Sequence, residues 1–251
     1  MPQEIVNFDV LGIPIAATNL EKTAQLLLDW SQDSKGRYVG VREVASIMKM
    51  YSDPALLKVT REAAINIPDG MPLVWIGRRN GYEMARTCGA DLMEKMLRES
   101  AVSGLKHFFY GGKEGVADGL ADTYRRQVSG LQIVGTYCPP FRPLTKEEDE
   151  AVIKTILASK ADIVWVGISS PAQDVWMQAH VAQLPQTLIG VGAAFDFLSG
   201  EVARAPLWMQ KNGLEWLHRL ISEPRRLWRR YILLAPKFAF LVLSKRLMKK
   251  Q

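Results

Sequence analysis

Short apolar runs alternate along this 251-residue chain with longer stretches in which apolar positions recur every three or four residues. Runs too short for a helix and bounded by Gly, Pro or Asp read as buried strands, and the periodic stretches between them read as helices laid over a sheet. Strands are predicted at 38–41, 64–67, 107–110, 132–136, 162–168 and 187–191, after an extended start over 6–15. The 162–168 run is almost wholly Val, Ile and Trp, as a strand covered on both faces requires. Helices are predicted over 19–31 (capped by Thr18 or Asn19), from the end of the first sheet strand through 50, and over 89–103, 115–128, 146–159 and 173–182. This alternation predicts an α/β, Rossmann-like fold with a largely parallel sheet flanked by helices. From Pro206 the pattern becomes helices broken at Gly213 and Pro224, and the 231–243 stretch is expected to break again at Pro236-Lys237. We therefore divide the chain into an α/β core, 1–203, and a basic amphipathic C-terminal appendage, 204–251.

Charge sharpens that division. From Glu201 onward there are twelve Lys/Arg against three Asp/Glu, a net +9 in a chain whose total is +6, so the first two hundred residues carry −3. Charge alone admits a nucleic-acid partner. The Trp, Leu and Tyr residues interleaved with those arginines argue instead for a membrane surface, into which an apolar face sinks while a basic face meets anionic headgroups. No stretch reaches the length of a membrane span, and the N-terminus carries Glu4 and Asp9 with no apolar core of signal-peptide length. The expected location is peripheral, with no nucleic acid bound. Cys88 and Cys138 form neither a metal-ligand spacing nor a disulfide framework, and His107, His180 and His218 are scattered, so neither metal nor cofactor is expected.

Functional groups of parallel α/β folds gather beyond the carboxyl ends of the strands. The polar punctuation there is Asp69-Gly70, Gly111-Gly112, Ser169-Ser170-Pro171-Ala172-Gln173 and the run from Gly192 to Asp196. Asp69 stands between Pro68, which fixes the backbone before it, and Gly70, which permits a sharp turn after it. It reads either as the cap of a helix beginning near Met71 or as a carboxylate whose pocket tunes it to be a general base. Gly111-Gly112 is a turn able to offer N–H groups to a diphosphate.

The segments Pro68-Asp69-Gly70-Met71-Pro72-Leu73-Val74, Arg86 with Gly89-Ala90-Asp91-Leu92, Ser170-Pro171-Ala172-Gln173-Asp174, and Gly192-Ala193-Ala194-Phe195-Asp196 together resemble the WecG/TagA/CpsF glycosyltransferases (glycosyltransferase family 26). So does the arginine-rich end, Arg204-Ala205-Pro206-Leu207-Trp208 through Tyr231. The resemblance runs from Val6 to about Leu247. It implies an inverting transferase that moves a sugar from a UDP-sugar to a monosaccharide on polyprenol diphosphate, at the cytoplasmic face of the membrane, in surface polysaccharide or exopolysaccharide synthesis. It implies Asp69 as catalytic base. Arg86 is implied at the donor phosphate and Asp91 at a sugar or as a helix cap. Gln173 and Gly192 join Gly111 and Gly112 on the donor side. Arg219, Arg226 and Arg229 are implied to clamp the acceptor diphosphate or to neutralise charge on the leaving nucleotide, while Arg225 and Arg230 are expected to face headgroups.

One departure bears on specificity. Where many members of that family carry Thr-x-Asn, this chain has Val41 and Glu43, and Asp174 stands where glutamate is usual. The altered hydrogen-bonding pattern leaves glucose, N-acetylmannosamine and its uronic acid open as donor sugars. Glu43 itself is an alternative acid/base group with Asp69 in support. A catalytically lapsed scaffold that binds lipid diphosphates is the alternative to an enzyme, and a homo-oligomer is compatible with either.

Overall fold

The structure, a computed structural model, describes residues 5–248; the side chains of Lys211, Arg226, Arg246, Leu247 and Met248 lie outside the described set. The extended start is a hairpin of β1 (Asn7–Val10) and β2 (Ile13–Ala16), turned at Leu11-Gly12 with φ of 56° and 88°. There follow α1 (Leu20–Trp30), β3 (Arg37–Arg42), α2 (Val44–Ser52), α3 (Pro54–Glu62), β4 (Ile65–Pro68), α4 (Met71–Arg79), α5 (Gly89–Ser103) and β5 (Lys106–Gly111). The core continues through α6 (Val116–Gln127), β6 (Gln132–Tyr137), α7 (Lys146–Ser159), β7 (Ile163–Gly167), α8 (Ala172–His180), β8 (Thr187–Gly190) and α9 (Ala194–Leu198). The sequence reading lacks α3, although Asp53 caps it by accepting from the N–H groups of Ala55 and Leu56, with Pro54 next at the first helical position.

Six strands form one parallel sheet in the order β4-β3-β8-β7-β5-β6. Alternate side chains supply opposite faces. Ile163 and Trp165 of β7, Phe109 of β5 and Ile189 of β8 join α1, α5 and α6 on one side. Val164, Val166, Phe108, Tyr110 and Leu188 join α7 and α8 on the other. Two strands approach closely at Gly111, where φ is 131° and a Cβ would stand 2.6 Å from the Gly167 carbonyl. His107 is a core group: its Nδ1 accepts from Trp165 Nε1 at 3.1 Å, its Nε2 lies 2.7 Å from Ser100 Oγ, and burial lowers its pKa to about 3.

The tail comprises α10 (Leu207–Lys211), α11 (Glu215–Ser222), α12 (Pro224–Trp228), a π-helical segment (Arg229–Leu234) and α13 (Ala235–Met248). Breaks occur near Gly213 and Pro224. Pro236 ends no helix: it lies in α13 directly after the π-helical segment. Phe238 of α13 is buried in a third apolar cluster with Ile13, Ile47, Met50 and Leu73, which ties the tail to the hairpin and to α2 and α4.

The sheet holds one fully buried ion pair. Arg42 Nη1 meets Asp174 Oδ1 at 2.6 Å, Arg42 Nε donates to Asn66 Oδ1 at 2.7 Å, and Ser170 Oγ donates to Asp174 Oδ2 at 2.8 Å. Gly40 makes the space, since a Cβ there would fall 2.0 Å from the Arg42 guanidinium. Asp174 is therefore a strut under the Ser170–Gln173 turn. Replacing Asp174 by Ala leaves a buried charge without its partner, and should cost about 3–5 kcal/mol in urea unfolding; a loss below about 1 kcal/mol would refute that role.

Candidate active site

The carboxyl ends of β3, β4, β7 and β8 open into two adjoining cavities. The larger, about 450 Å³, is lined by Val41, Glu43, Ser169, Ser170, Gln173 and Gly192, and the tail closes it with Leu227, Arg229 and Arg230. The smaller, about 310 Å³, lies between the start of α4 and the tail, against Met71, Pro72, Trp75, Trp216 and Tyr231. Asp69, Glu43, Cys88, Phe197, Arg219 and Arg230 line both, so the junction of the cavities is built from these residues. No helix among the described residues is long and apolar enough to cross a membrane. Large apolar side chains nevertheless stand exposed near the smaller cavity and along the tail, among them Trp75, Trp208, Ile221, Ile232 and Phe240.

Asp69 ends the chain's run through β4 and sits on a rigid turn. Its N–H and that of Gly70 donate to the Arg42 carbonyl at 2.8 and 3.2 Å, and α4 starts at Met71 with Pro72 in its first turn. Its side chain makes no capping bond to α4; Arg86 holds it instead. Arg86 Nε donates to the Asp69 carbonyl at 2.7 Å and to Oδ1 at 3.1 Å, with Nη2 3.0 Å from Oδ1. Burial raises the Asp69 carboxyl above its ordinary value; the Arg86 cation opposes this and the Glu215 charge adds to it. Beside it the buried Cys88 thiol is also pushed up, first by burial and then by the Asp69 charge, which makes it a neutral wall of the junction.

A chain of charges runs from this aspartate into the tail. Arg86 Nη1 meets Glu215 Oε2 of α11 at 2.8 Å, Arg204 Nη1 meets Asp91 Oδ1 at 2.6 Å, and Arg204 Nε stands 3.9 Å from Glu215 Oε1. Glu215 is only 7% exposed. Arg86 and Asp91, expected at donor phosphate and sugar, are thus engaged with partners inside the protein, and neither Asp91 nor Arg204 lines either cavity. Nothing in the sequence pattern pairs Glu215 with Arg86.

Of the remaining donor-side expectations, Gln173 and Gly192 meet at the larger cavity, where the Gly192 N–H donates to Gln173 Oε1 at 3.1 Å. Gly190 leaves room for that side chain, since a Cβ there would lie 2.8 Å from Gln173 Nε2. Gly111 and Gly112, expected to offer N–H groups to a diphosphate, line neither of these cavities, and the Gly112 N–H donates to the Gly167 carbonyl at 3.1 Å. These glycines serve close strand packing.

The tail arginines divide. Arg219, on α11, lies over the Phe197 ring at 5.3 Å and has a buried Nε without a hydrogen-bond partner. Arg229 lies over Trp228 at 5.4 Å and reaches the larger cavity alone. Among the described residues neither has a carboxylate partner. The expectation for Arg226 concerns a side chain outside the described set. Arg225 is exposed. Arg230 does not face outward as expected: it turns into the junction and pairs with the Glu43 carboxylate. It lies in the π-helical segment, whose wider turn changes the direction of successive side chains.

Glu215→Gln should weaken the tie between tail and core, since a buried carboxylate facing two guanidiniums becomes neutral. We expect a loss of about 1.5–3 kcal/mol in urea unfolding and faster proteolytic cleavage within 204–248; unchanged stability and cleavage would show that Glu215 does not carry this contact.

A family model described as the Glycosyl transferase WecG/TagA/CpsF family matches residues 8–251, nearly the whole chain. The chain belongs to that family and is a glycosyltransferase of surface polysaccharide synthesis.

Proposed function

We propose that the protein transfers a sugar from a UDP-sugar to a monosaccharide on polyprenol diphosphate, with inversion, at the cytoplasmic face of a membrane. The observation that carries this reading is the position of Asp69 at the junction of two cavities, opposite arginines that the tail supplies. The larger cavity, bounded by the polar strand ends at Ser169, Gln173 and Gly192, suits the nucleotide sugar. The smaller one, flanked by Trp75, Trp216 and Tyr231, suits the acceptor sugar with its lipid led away along the exposed apolar side chains of the tail.

In this scheme Asp69 accepts the proton of an acceptor hydroxyl. That oxygen attacks the anomeric carbon from the face opposite the nucleotide, and the bond from that carbon to the diphosphate oxygen breaks as the new glycosidic bond forms. One displacement inverts the configuration. UDP leaves with the bonding pair, and Arg219 and Arg229 neutralise the charge that develops on it, as planar guanidinium groups do for phosphate oxygens. Arg86 keeps the Asp69 carboxylate oriented, while burial keeps it basic.

Donor identity follows from acceptor-dependent UDP release across glucose, N-acetylglucosamine, N-acetylmannosamine and uronic acid donors. Asp69→Asn should lower that release by about 10²–10⁴-fold while leaving the fold intact; wild-type turnover by this variant would refute Asp69 as the base. Absence of release with every donor, with binding to anionic vesicles retained, would favour the lapsed scaffold.

The pH profile gives a separate check. The base form of Asp69 is required, so kcat/KM falls as pH drops through its raised pKa. The acid limb should have its midpoint above 3.8, the ordinary aspartate value, and should vanish in Asp69→Asn. A midpoint at or below 3.8 would contradict the burial argument.

A further inference from the structure

Two arginines, Arg219 and Arg230, line both cavities, and they differ in one respect. Arg219 has no carboxylate partner among the described residues, whereas Arg230 is held by Glu43. Glu43 lies directly after β3, at the start of α2, and also lines both cavities, with a third of its side chain exposed. The pair therefore spans the passage between the cavities, one group from the sheet and one from the tail. Among the described residues Arg230 meets one carboxylate, that of Glu43, and this contact is one that another anion entering the passage can replace. A diphosphate is such an anion, with more oxygens and more charge than a single carboxylate, and guanidinium geometry accepts it in paired hydrogen bonds.

We propose that Glu43 is a positioning residue that holds Arg230 across the passage and gives it up to the diphosphate of the bound substrate. This rests on the reading of the cavities as diphosphate-sugar sites. In the free protein Glu43 fixes the guanidinium at the junction and keeps the passage neutral. When the diphosphate binds, Arg230 exchanges carboxylate for phosphate oxygens, and the Glu43 carboxylate is released toward the sugar hydroxyls. Glu43 thus makes diphosphate binding weaker than Arg230 alone would allow, in return for an arginine already in place.

The pair can be broken without disturbing local structure. The cap of α2 joins Glu43 and Ser46: Glu43 N donates to Ser46 Oγ at 3.0 Å, Ser46 Oγ donates to the Glu43 carbonyl at 2.8 Å, and the Glu43 side chain accepts from the Ser46 N–H. Glu43→Gln keeps the first two bonds and a side-chain oxygen able to make the third. The test is calorimetric binding of UDP and of inorganic pyrophosphate to full-length wild type, Glu43→Gln, Arg230→Gln and the double variant, with thermal melting of each as a folding control.

The expected result is that Glu43→Gln tightens binding about three- to tenfold, the range of a partly buried ion pair. Arg230→Gln should weaken binding, and Glu43→Gln should then have no effect in the Arg230→Gln background. Tightening of equal size in both backgrounds would reduce Glu43 to a general repulsive charge and overturn the exchange. Unchanged or weaker binding in the single Glu43→Gln variant would overturn it as well. If Glu43→Gln melts too low to titrate, Glu43→Asp, which keeps the charge and shortens the reach to Arg230, should also tighten binding; unchanged binding in that variant would reduce Glu43 to a general repulsive charge and overturn the exchange. Failure of both probes to bind wild type and every variant would instead overturn the diphosphate reading of the cavities.

Discussion

Charge removed from water must be answered by opposite charge held at hydrogen-bonding distance, and the candidate active site of this protein is organised around that constraint. Asp69, Arg86, Glu215, Arg204 and Asp91 form a sequence of alternating sign that starts at the junction of the cavities and crosses from core to tail and back. Arg86 is the pivot because it faces a carboxylate on each side. Its hold on Asp69 orients that group, and its hold on Glu215 brings α11, and with it Arg219, over the site. Orientation of the aspartate and closure by the tail are thereby consequences of one guanidinium.

A second buried pair does similar work one layer deeper. Arg42 and Asp174 join β3 to the turn that carries Ser170 and Gln173, while the Arg42 carbonyl receives the N–H groups of Asp69 and Gly70. One residue thus fixes the turns after β4 and β7 through opposite ends of its own structure, its side chain and its main chain. Glycines at 40 and 190 leave room on the face of the sheet for the long polar side chains of Arg42 and Gln173. The rigidity suits the role proposed for Asp69, a base that must be held against an acceptor oxygen within a fraction of an ångström.

The tail combines two surfaces. Its inward side contributes Leu227, Phe238 and the arginines of the cavities, and its outward side leaves Trp208, Ile221, Ile232 and Phe240 uncovered beside the exposed Arg225. The π-helical segment lies where these surfaces exchange roles. There Arg229 reaches the larger cavity, Arg230 enters the junction, and Ile232 and Leu233 turn outward. The lining of the cavities and the exposed apolar surface are thus set by the same few residues, where arginine and aromatic side chains are densely mixed.

The alternation of short Val/Ile-rich runs with periodic stretches determined the parallel α/β architecture, because strand and helix periods are local properties of the chain. Both α5 and α7 begin and end where their patterns do. The turn at Pro68-Asp69-Gly70 was legible for the same reason, and so were Gln173 and Gly192 as residues beyond strand ends. Partner choice was decided by tertiary structure. Arg86 and Glu215 are far apart in sequence, as are Arg42 and Asp174, and no local period relates them. Gly111 and Gly112 look the same in sequence whether they greet a ligand or a neighbouring strand, and only the approach of β7 distinguishes the two. The facing of Arg230 depends on a π-helical turn, whose wider pitch ordinary helical spacing does not predict. Local patterns determine elements and their ends; which charges meet across them is a property of the packed molecule, where the cost of an unpaired buried group selects the partners.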